Sequence, residues 1–218
     1  YCAGTRVSMS VRGSPDAATV SAVGPSGEDK WRAVMDGLRK LSEPFLCEEG
    51  MLFQGSRGLA GVAVTISSRG KVVRETELER GAVVVGASSK CEPLVWNGAE
   101  LGLLDARGLY LWRREYASLP FVERLSRGFL LASGGEERPL RVESVSEDGH
   151  FAWVFELPLF GRFSRFAAVE GAFDGAVVAG LCLDTESACS NADGDRGPFN
   201  ALIRVNTAGA GAVLERQV

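Results

Sequence analysis

Five stretches of the chain repeat one pattern of apolar and polar positions: ATVSAVGPSGEDKWRAVM, AVTISSRGKVVRETEL, LGLLDARGLYLWRREY, VESVSEDGHFAWVFEL and LIRVNTAGAGAVLERQ. They superpose on Gly27, Gly70, Gly108, Gly149 and Gly209, spaced by 43, 38, 41 and 60 residues. Four residues before each glycine stands an aliphatic side chain: Val23, Ile66, Leu104, Val145 and Val205. The next position is a turn former each time: Gly24, Ser67, Asp105, Ser146 and Asn206. Four residues after the glycine come Trp31, Arg74, Trp112, Trp153 and Val213. This predicts a β-hairpin in every copy: an apolar strand, a turn with glycine where a positive φ is needed, and a second strand.

Between the hairpins lie short apolar runs bracketed by small residues: GMLFQG (50–55), GAVVVG (81–86), GFLLAS (128–133) and GAVVAG (175–180). They are too short for buried helices and read as strands covered on both faces, with small flanking residues where neighbouring backbones come close. Weaker strands, PFVERL (120–125) and FSRFAAV (163–169), follow two of the hairpins. A unit of about 40 residues with about four strands is the signature of a propeller blade. The expected order within a blade is apolar inner strand, hairpin pair, outer strand, with little room for an outer strand between Leu78 and Gly81. EDKWRAVMDGLRKL taken alone fits an amphipathic helix, with Trp31, Val34, Met35, Leu38 and Leu41 on one face; the repeat register assigns its first half to a hairpin strand instead.

The fold expected is all-β: a β-propeller of about five blades, each of three to four antiparallel strands, forming a single domain over 1–218. The alternative is a fragment of a larger propeller. Gly4 aligns with Gly55, Gly86 and Gly180, which places Tyr1 in the inner strand of a first blade. The terminal hairpin 200–218 is then expected to close the ring against that strand, since an open edge invites aggregation.

The unit "GAVVAGL … NALIRVNTAGAGAVLERQ" resembles the β-propeller repeats of secreted and cell-envelope bacterial proteins. The resemblance covers nearly the whole chain and implies architecture rather than a specific chemistry. It implies a location outside the cytoplasm, in the cell envelope or beyond it.

The formal charge of −4, from 24 Lys and Arg against 28 Asp and Glu, argues against a nucleic-acid partner, which requires a basic face. No apolar run approaches the roughly 18–20 residues of a membrane-spanning helix. Five cysteines leave at least one outside any intrachain pairing. Cys182 and Cys189 bracket an insertion that accounts for the 60-residue spacing, and are expected to form a disulfide at its base. Cys47 and Cys91, on either side of successive inner strands, offer a second bridge. Disulfides would place the chain in an oxidising compartment.

The insertion carries Asn191, Asp193 and Asp195 at alternating positions, the spacing with which calcium loops point oxygens inward. Arg196 stands where such a loop needs glycine, so a solvated acidic turn is the plainer reading, and no cofactor is expected. ACSNADGDRGPF is loosely similar to the Gly-Asp-Ser-Gly-Gly-Pro loop of trypsin-like proteases. It has Arg196 in the nucleophile's place, and the one histidine, His150, sits beside a hairpin turn, so no triad is expected. Trp31, Trp112 and Trp153 would serve as a stacking platform, but sharing one repeat column makes them packing residues between blades. The carboxylate column Glu77, Glu115 and Glu156 is expected on a solvated or arginine-paired face, too dispersed for glycosidic chemistry. The expected inner strands hold no carboxylate, which argues against an enzyme. The function expected is therefore a non-catalytic binding or assembly module, presenting loops to protein or glycan partners, a longer parent or a neighbouring chain. A carbohydrate-active propeller enzyme or lectin is the alternative.

Overall fold

The computed structural model describes residues 8–13, 17–135, 138–157, 163–170, 177–183 and 200–205, with side chains over 17–134, 138–154 and 156. Among them eighteen strands form five antiparallel sheets and no helix occurs, so none is long and apolar enough to cross a membrane. The chain divides into two compact units, Tyr1–Glu115 and Tyr116–Val218.

In the first unit, the first sheet comprises β1 (Ser8–Gly13), β2 (Ala17–Val23) and β3 (Asp29–Asp36). The second holds β4 (Phe45–Cys47), β5 (Gly50–Arg57), β6 (Ala60–Ser67) and β7 (Val72–Leu78). The third holds β8 (Val83–Ala87), β9 (Pro93–Trp96), β10 (Glu100–Leu104) and β11 (Tyr110–Glu115). In the second unit, the fourth sheet is β12 (Phe121–Leu125), β13 (Gly128–Gly135), β14 (Arg138–Ser146) and β15 (Phe151–Leu157). The fifth is β16 (Phe163–Glu170), β17 (Val177–Leu183) and β18 (Asn200–Val205). Every sheet is a meander in which strands consecutive in sequence are neighbours.

The hairpins form as their pattern requires. Gly27, Gly70, Gly108 and Gly149 take φ values of 86°, 77°, 80° and 87°, a region costly for residues with a Cβ. Each glycine N–H donates to the carbonyl of the turn former three residues earlier, at 2.9–3.1 Å, and each shows a register shift just before the aliphatic column. These are three-residue hairpin loops closed by a glycine bulge. Ile66, Leu104 and Val145 are buried at the column and Val23 is half-buried; the side chain of Val205 and the turn at Gly209 lie outside the described residues.

The order of strands within a sheet differs from the expected one. Phe121–Leu125 pairs with β13 and Phe163–Glu170 with β17, so each opens the following sheet instead of closing the preceding one. The short Leu78–Gly81 link needs no strand for the same reason. In the third sheet the apolar run 83–87 is the first strand, and Pro93–Trp96, buried throughout, takes the second place. Both are short apolar runs, which the sequence pattern cannot rank; in the structure β8 leaves Val83 exposed while β9 is covered on both faces. In the first sheet Ser8 pairs with Val23 as Met51 pairs with Ile66, so β1 holds the place assigned to Tyr1–Gly4. Residues 1–7 and 206–218, and with them the expected terminal pairing, lie outside the described residues.

Packing in the first unit follows chain order. The first and second sheets share a core of Val20, Met35, Leu38, Phe53, Val64 and Ile66, with the Trp31 ring against it. The second and third share Leu52, Ala63, Leu78, Val84, Val95 and Leu104. Neighbouring residues of β5 thus face opposite cores, as a continuous apolar run demands. Trp31 lies over Gly70, where a methyl group would displace the ring. Gly50 and Gly128 sit opposite the hairpin bulges, where a methyl would run into the carbonyls of Ile66 and Val145 respectively. The EDKWRAVMDGLRKL segment is strand over Asp29–Asp36, after which Arg39 and Ser56 exchange backbone bonds of 2.8 Å that cover the edge of β5.

Gln54 joins two sheets. Its Oε1 accepts from the Val84 N–H at 2.7 Å and its Nε2 donates to the Ala82 carbonyl at 3.3 Å, so one side-chain amide completes backbone bonds of a strand in the next sheet. Gln54→Leu leaves both groups without partners and is expected to cost about 2 kcal/mol, read as a lower denaturant midpoint at unchanged m-value.

Candidate functional site

The hairpin turns of the first unit stand at one end of their sheets, and that end is the candidate site. Up-and-down connectivity brings the turns between first and second strands there too, since Gly50 lies opposite Ser67 and Leu94 opposite Leu103. The end therefore carries the turns 24–28, 47–50, 67–71, 88–92 and 105–109. Two links fix the second and third sheets together at this end. The Glu48 N–H donates to the Ser89 carbonyl at 3.1 Å, and Cys47 is bonded to Cys91 with a Cα–Cα distance of 5.4 Å. This is the second of the two expected disulfides. Cys182 is on β17, but its side chain and all of Cys189 lie outside the described residues, as do Asn191, Asp193 and Asp195.

The turns 24–28, 67–71, 88–92 and 105–109 are each held by a polar side chain of their own, and the tips differ. Asp105 Oδ1 accepts from the Arg107 and Leu109 N–H groups at 2.7 and 2.9 Å, and the Leu109 bond chiefly holds its carboxyl below the usual range. Ser67 Oγ accepts from the Lys71 N–H at 3.2 Å. In the first sheet, where glycine occupies the turn-former position, Glu28 supplies the contact. It accepts from Ser26 and pairs with Lys30 at 2.7 Å; hydrogen bonds from Lys30, then Ser26, lower its carboxyl from 4.5 to about 2. A depressed carboxyl stabilises the folded turn fully above its unfolded pKa and loses that effect as pH falls toward 2. NMR titration should therefore find Glu28 still ionised at pH 3. Exposed side chains around these braces include Asp29, Glu48, Glu49, Arg69, Lys71, Lys90 and Arg107, a surface of mixed sign.

In the second unit the corresponding turn carries Ser146, Asp148 and His150. The Ser146 hydroxyl donates to Asp148, whose carboxyl this bond chiefly lowers, and His150 Nε2 stands 3.8 Å from Asp148. The imidazole is 84% exposed. Arg196 lies outside the described residues.

The tryptophan column is half-buried, with Trp31 packed against the neighbouring sheet, and the carboxylate column is exposed. Trp31, Trp112 and Trp153 are half-buried, Trp112 lying 5.7 Å from the Arg114 guanidinium. Arg74 takes their place in the second sheet, with Nη1 buried and without a hydrogen-bond partner among the described residues. Glu77, Glu115 and Glu156 are all exposed, and Glu156 is 3.6 Å from Arg141.

A second polar cluster went unnoticed in the sequence. Glu143, 2% exposed in β14, receives hydrogen bonds from the Tyr116 hydroxyl and from Arg141 Nε, the latter at 2.9 Å. The other copies have Ser21, Val64, Gly102 and Ile203 at this position of the repeat, six residues before the turn glycine. A charge in that column was the signal. The first strands also change the electrostatic picture: β4 lies beside β8 and β12 beside β16, and β12 and β16 carry Glu123 and Glu170. Of the four apolar runs expected as inner strands, only 81–86 falls in the first strand of its sheet. Burial holds the Glu123 carboxyl above its ordinary range. Among the described residues, no group of three or more His, Cys, Asp or Glu side chains is placed to hold a metal ion.

The chain matches no protein-family model and no curated protein. Among solved structures it is similar to a protein of unknown function from Bacteroides caccae, at 15% identity and a TM-score of 0.47, over 97% of this chain and 81% of that one. It is also similar to a GH43 glycoside hydrolase whose engineered active site displays both endo-xylanase and exo-arabinofuranosidase activity, at 10% identity and a TM-score of 0.41. That match covers 93% of this chain and 51% of the enzyme, so the chain spans about half the enzyme's length. Likenesses this distant carry no chemistry across. The described residues form an all-β protein of consecutive antiparallel meanders.

Proposed function

We propose that the chain is a β-propeller of about five blades acting as a binding or assembly module of the cell envelope or exterior, with its turn end presented to a protein or glycan partner. The observation that carries this reading is the turn end itself. One backbone geometry is repeated at the hairpins 24–28, 67–71 and 105–109, braced by Glu28, Ser67 and Asp105 respectively, and the tips differ in charge. A rigid scaffold with varied exposed tips is how propellers and other repeat folds present recognition surfaces. Face-to-face packing of consecutive meanders in the first unit supports the propeller, and the Cys47–Cys91 bond fits an exported protein.

One observation favours a second reading, a carbohydrate-active propeller: the partly desolvated carboxyl of Glu123 on a first strand. A single experiment separates the two. The intact chain is run through gels containing cell-wall polysaccharides and over columns of immobilised envelope protein, while reducing ends are assayed in parallel. Retardation without release of reducing ends, weakened by charge reversal at Arg69, Lys71 and Arg107, is the expected result. Release of reducing ends that is lost in Glu123→Gln would establish the enzyme instead.

A further inference from the structure

The turn joining β9 to β10 carries chemistry that binding does not use. Of the four asparagines in the sequence, only Asn97 is followed by glycine. Its Oδ1 accepts two backbone hydrogen bonds, from the Ala99 N–H at 3.1 Å and the Glu100 N–H at 2.8 Å. Its Nδ2 donates to Glu100 Oε2 at 3.4 Å. The Gly98 N–H makes no hydrogen bond among the described residues, and Gly98 is exposed with φ at 103°.

We propose that Asn97 is a self-modification site at which the folded turn promotes deamidation. The Gly98 amide nitrogen attacks Asn97 Cγ and forms a five-membered ring, while Oδ1 gains negative charge. The Ala99 and Glu100 N–H groups already point at that oxygen, so the charge develops in a place prepared for it. The Cγ–Nδ2 bond breaks, and Nδ2 leaves as ammonia carrying the proton released from the Gly98 amide. Water then opens the cyclic imide at one carbonyl or the other, yielding aspartate or isoaspartate. Asparagine and water are consumed; aspartyl product and ammonia are formed, without oxidant or reductant. Glycine suits the nucleophile position because no Cβ obstructs ring closure.

The product adds a carboxylate next to Glu100, whose partner Arg113 lies 3.6 Å away. In the isoaspartate form a side-chain methylene enters the main chain and breaks the pairing of Trp96 with Leu101 at the turn. Modification would therefore loosen the third sheet at the end opposite the disulfide.

The test is a time course of the intact chain in mildly alkaline buffer, folded and in urea, with peptide mapping that separates asparagine, aspartate and isoaspartate. In the folded chain Asn97 should convert about tenfold faster than in Ala99→Pro, which lacks one of the two donors. It should also convert faster than Asn191, Asn200 or Asn206. Formation of isoaspartate beside aspartate marks the imide route, since direct hydrolysis of the amide gives aspartate alone. Since Ala99→Pro can also disturb the turn, the decisive comparison is wild type with itself. Conversion at least as fast folded as in urea supports the proposal, and an Asn97 that stays amidated when folded but converts in urea overturns it.

Discussion

Reducing the Cys47–Cys91 bond is expected to lower the stability of the chain by about 4 kcal/mol, the chain-entropy contribution of a loop closed across a separation of 44 residues. The bond joins β4 to the 88–92 turn, so its loss frees two sheets at the end where the recognition surface is proposed. Cys91 is fully buried and takes φ at 56°, one of two non-glycine residues in the left-handed region among those described. That conformation costs roughly 1–2 kcal/mol for a residue with a Cβ. Cys47→Ala with Cys91→Gly should therefore recover about 1 kcal/mol relative to the double alanine variant. Denaturant unfolding with and without reductant measures the first effect, and the two variants measure the second. An unchanged midpoint on reduction would show that the bond constrains nothing.

The second large effect concerns Glu143. Arg141→Ala leaves a carboxylate that is 2% exposed with the Tyr116 hydroxyl as its remaining partner among the contacts described. Breaking a buried pair from one side costs about 3–5 kcal/mol; because Arg141 is itself 41% exposed, about 3 kcal/mol is expected here. Glu143→Met combined with Tyr116→Phe removes the buried charge and the hydroxyl together, and should destabilise less than Arg141→Ala does. Chemical denaturation of the two variants tests this ordering. If Arg141→Ala proves the milder, solvent reaches Glu143 and the cluster is not a buried network.

The hairpins were legible because their physics is local. A glycine at positive φ, a turn former three residues earlier and an aliphatic at the strand end are one-dimensional signals, and Gly27, Gly70, Gly108 and Gly149 answer to them. The order of strands was not legible because it depends on which two buried strands meet. Val83–Ala87 and Pro93–Trp96 are both short apolar runs, so nothing in their composition says which comes first. β1, SMSVRG, escaped notice because its sequence lacks the apolar run of its counterparts. The amide of Gln54 and the carboxylate of Glu143 act across long sequence separations, Gln54 to a strand 30 residues away and Glu143 to Tyr116 27 residues away. Only the break in the repeat column at Glu143 gave any warning. Trp31 was readable for the opposite reason: its column recurs, and its ring does pack on a turn glycine of the neighbouring sheet.

The proposed propeller requires these meanders to form one closed ring, and small-angle X-ray scattering of the intact, oxidised chain tests that proposal most directly. A compact body of 218 residues has a radius of gyration of about 17 Å. The propeller predicts that value with a single-peaked distance distribution, both lost when residues 200–218 are deleted. A radius several ångströms larger, with a second maximum from two separated bodies, would contradict a closed ring and leave the chain an arc awaiting a partner.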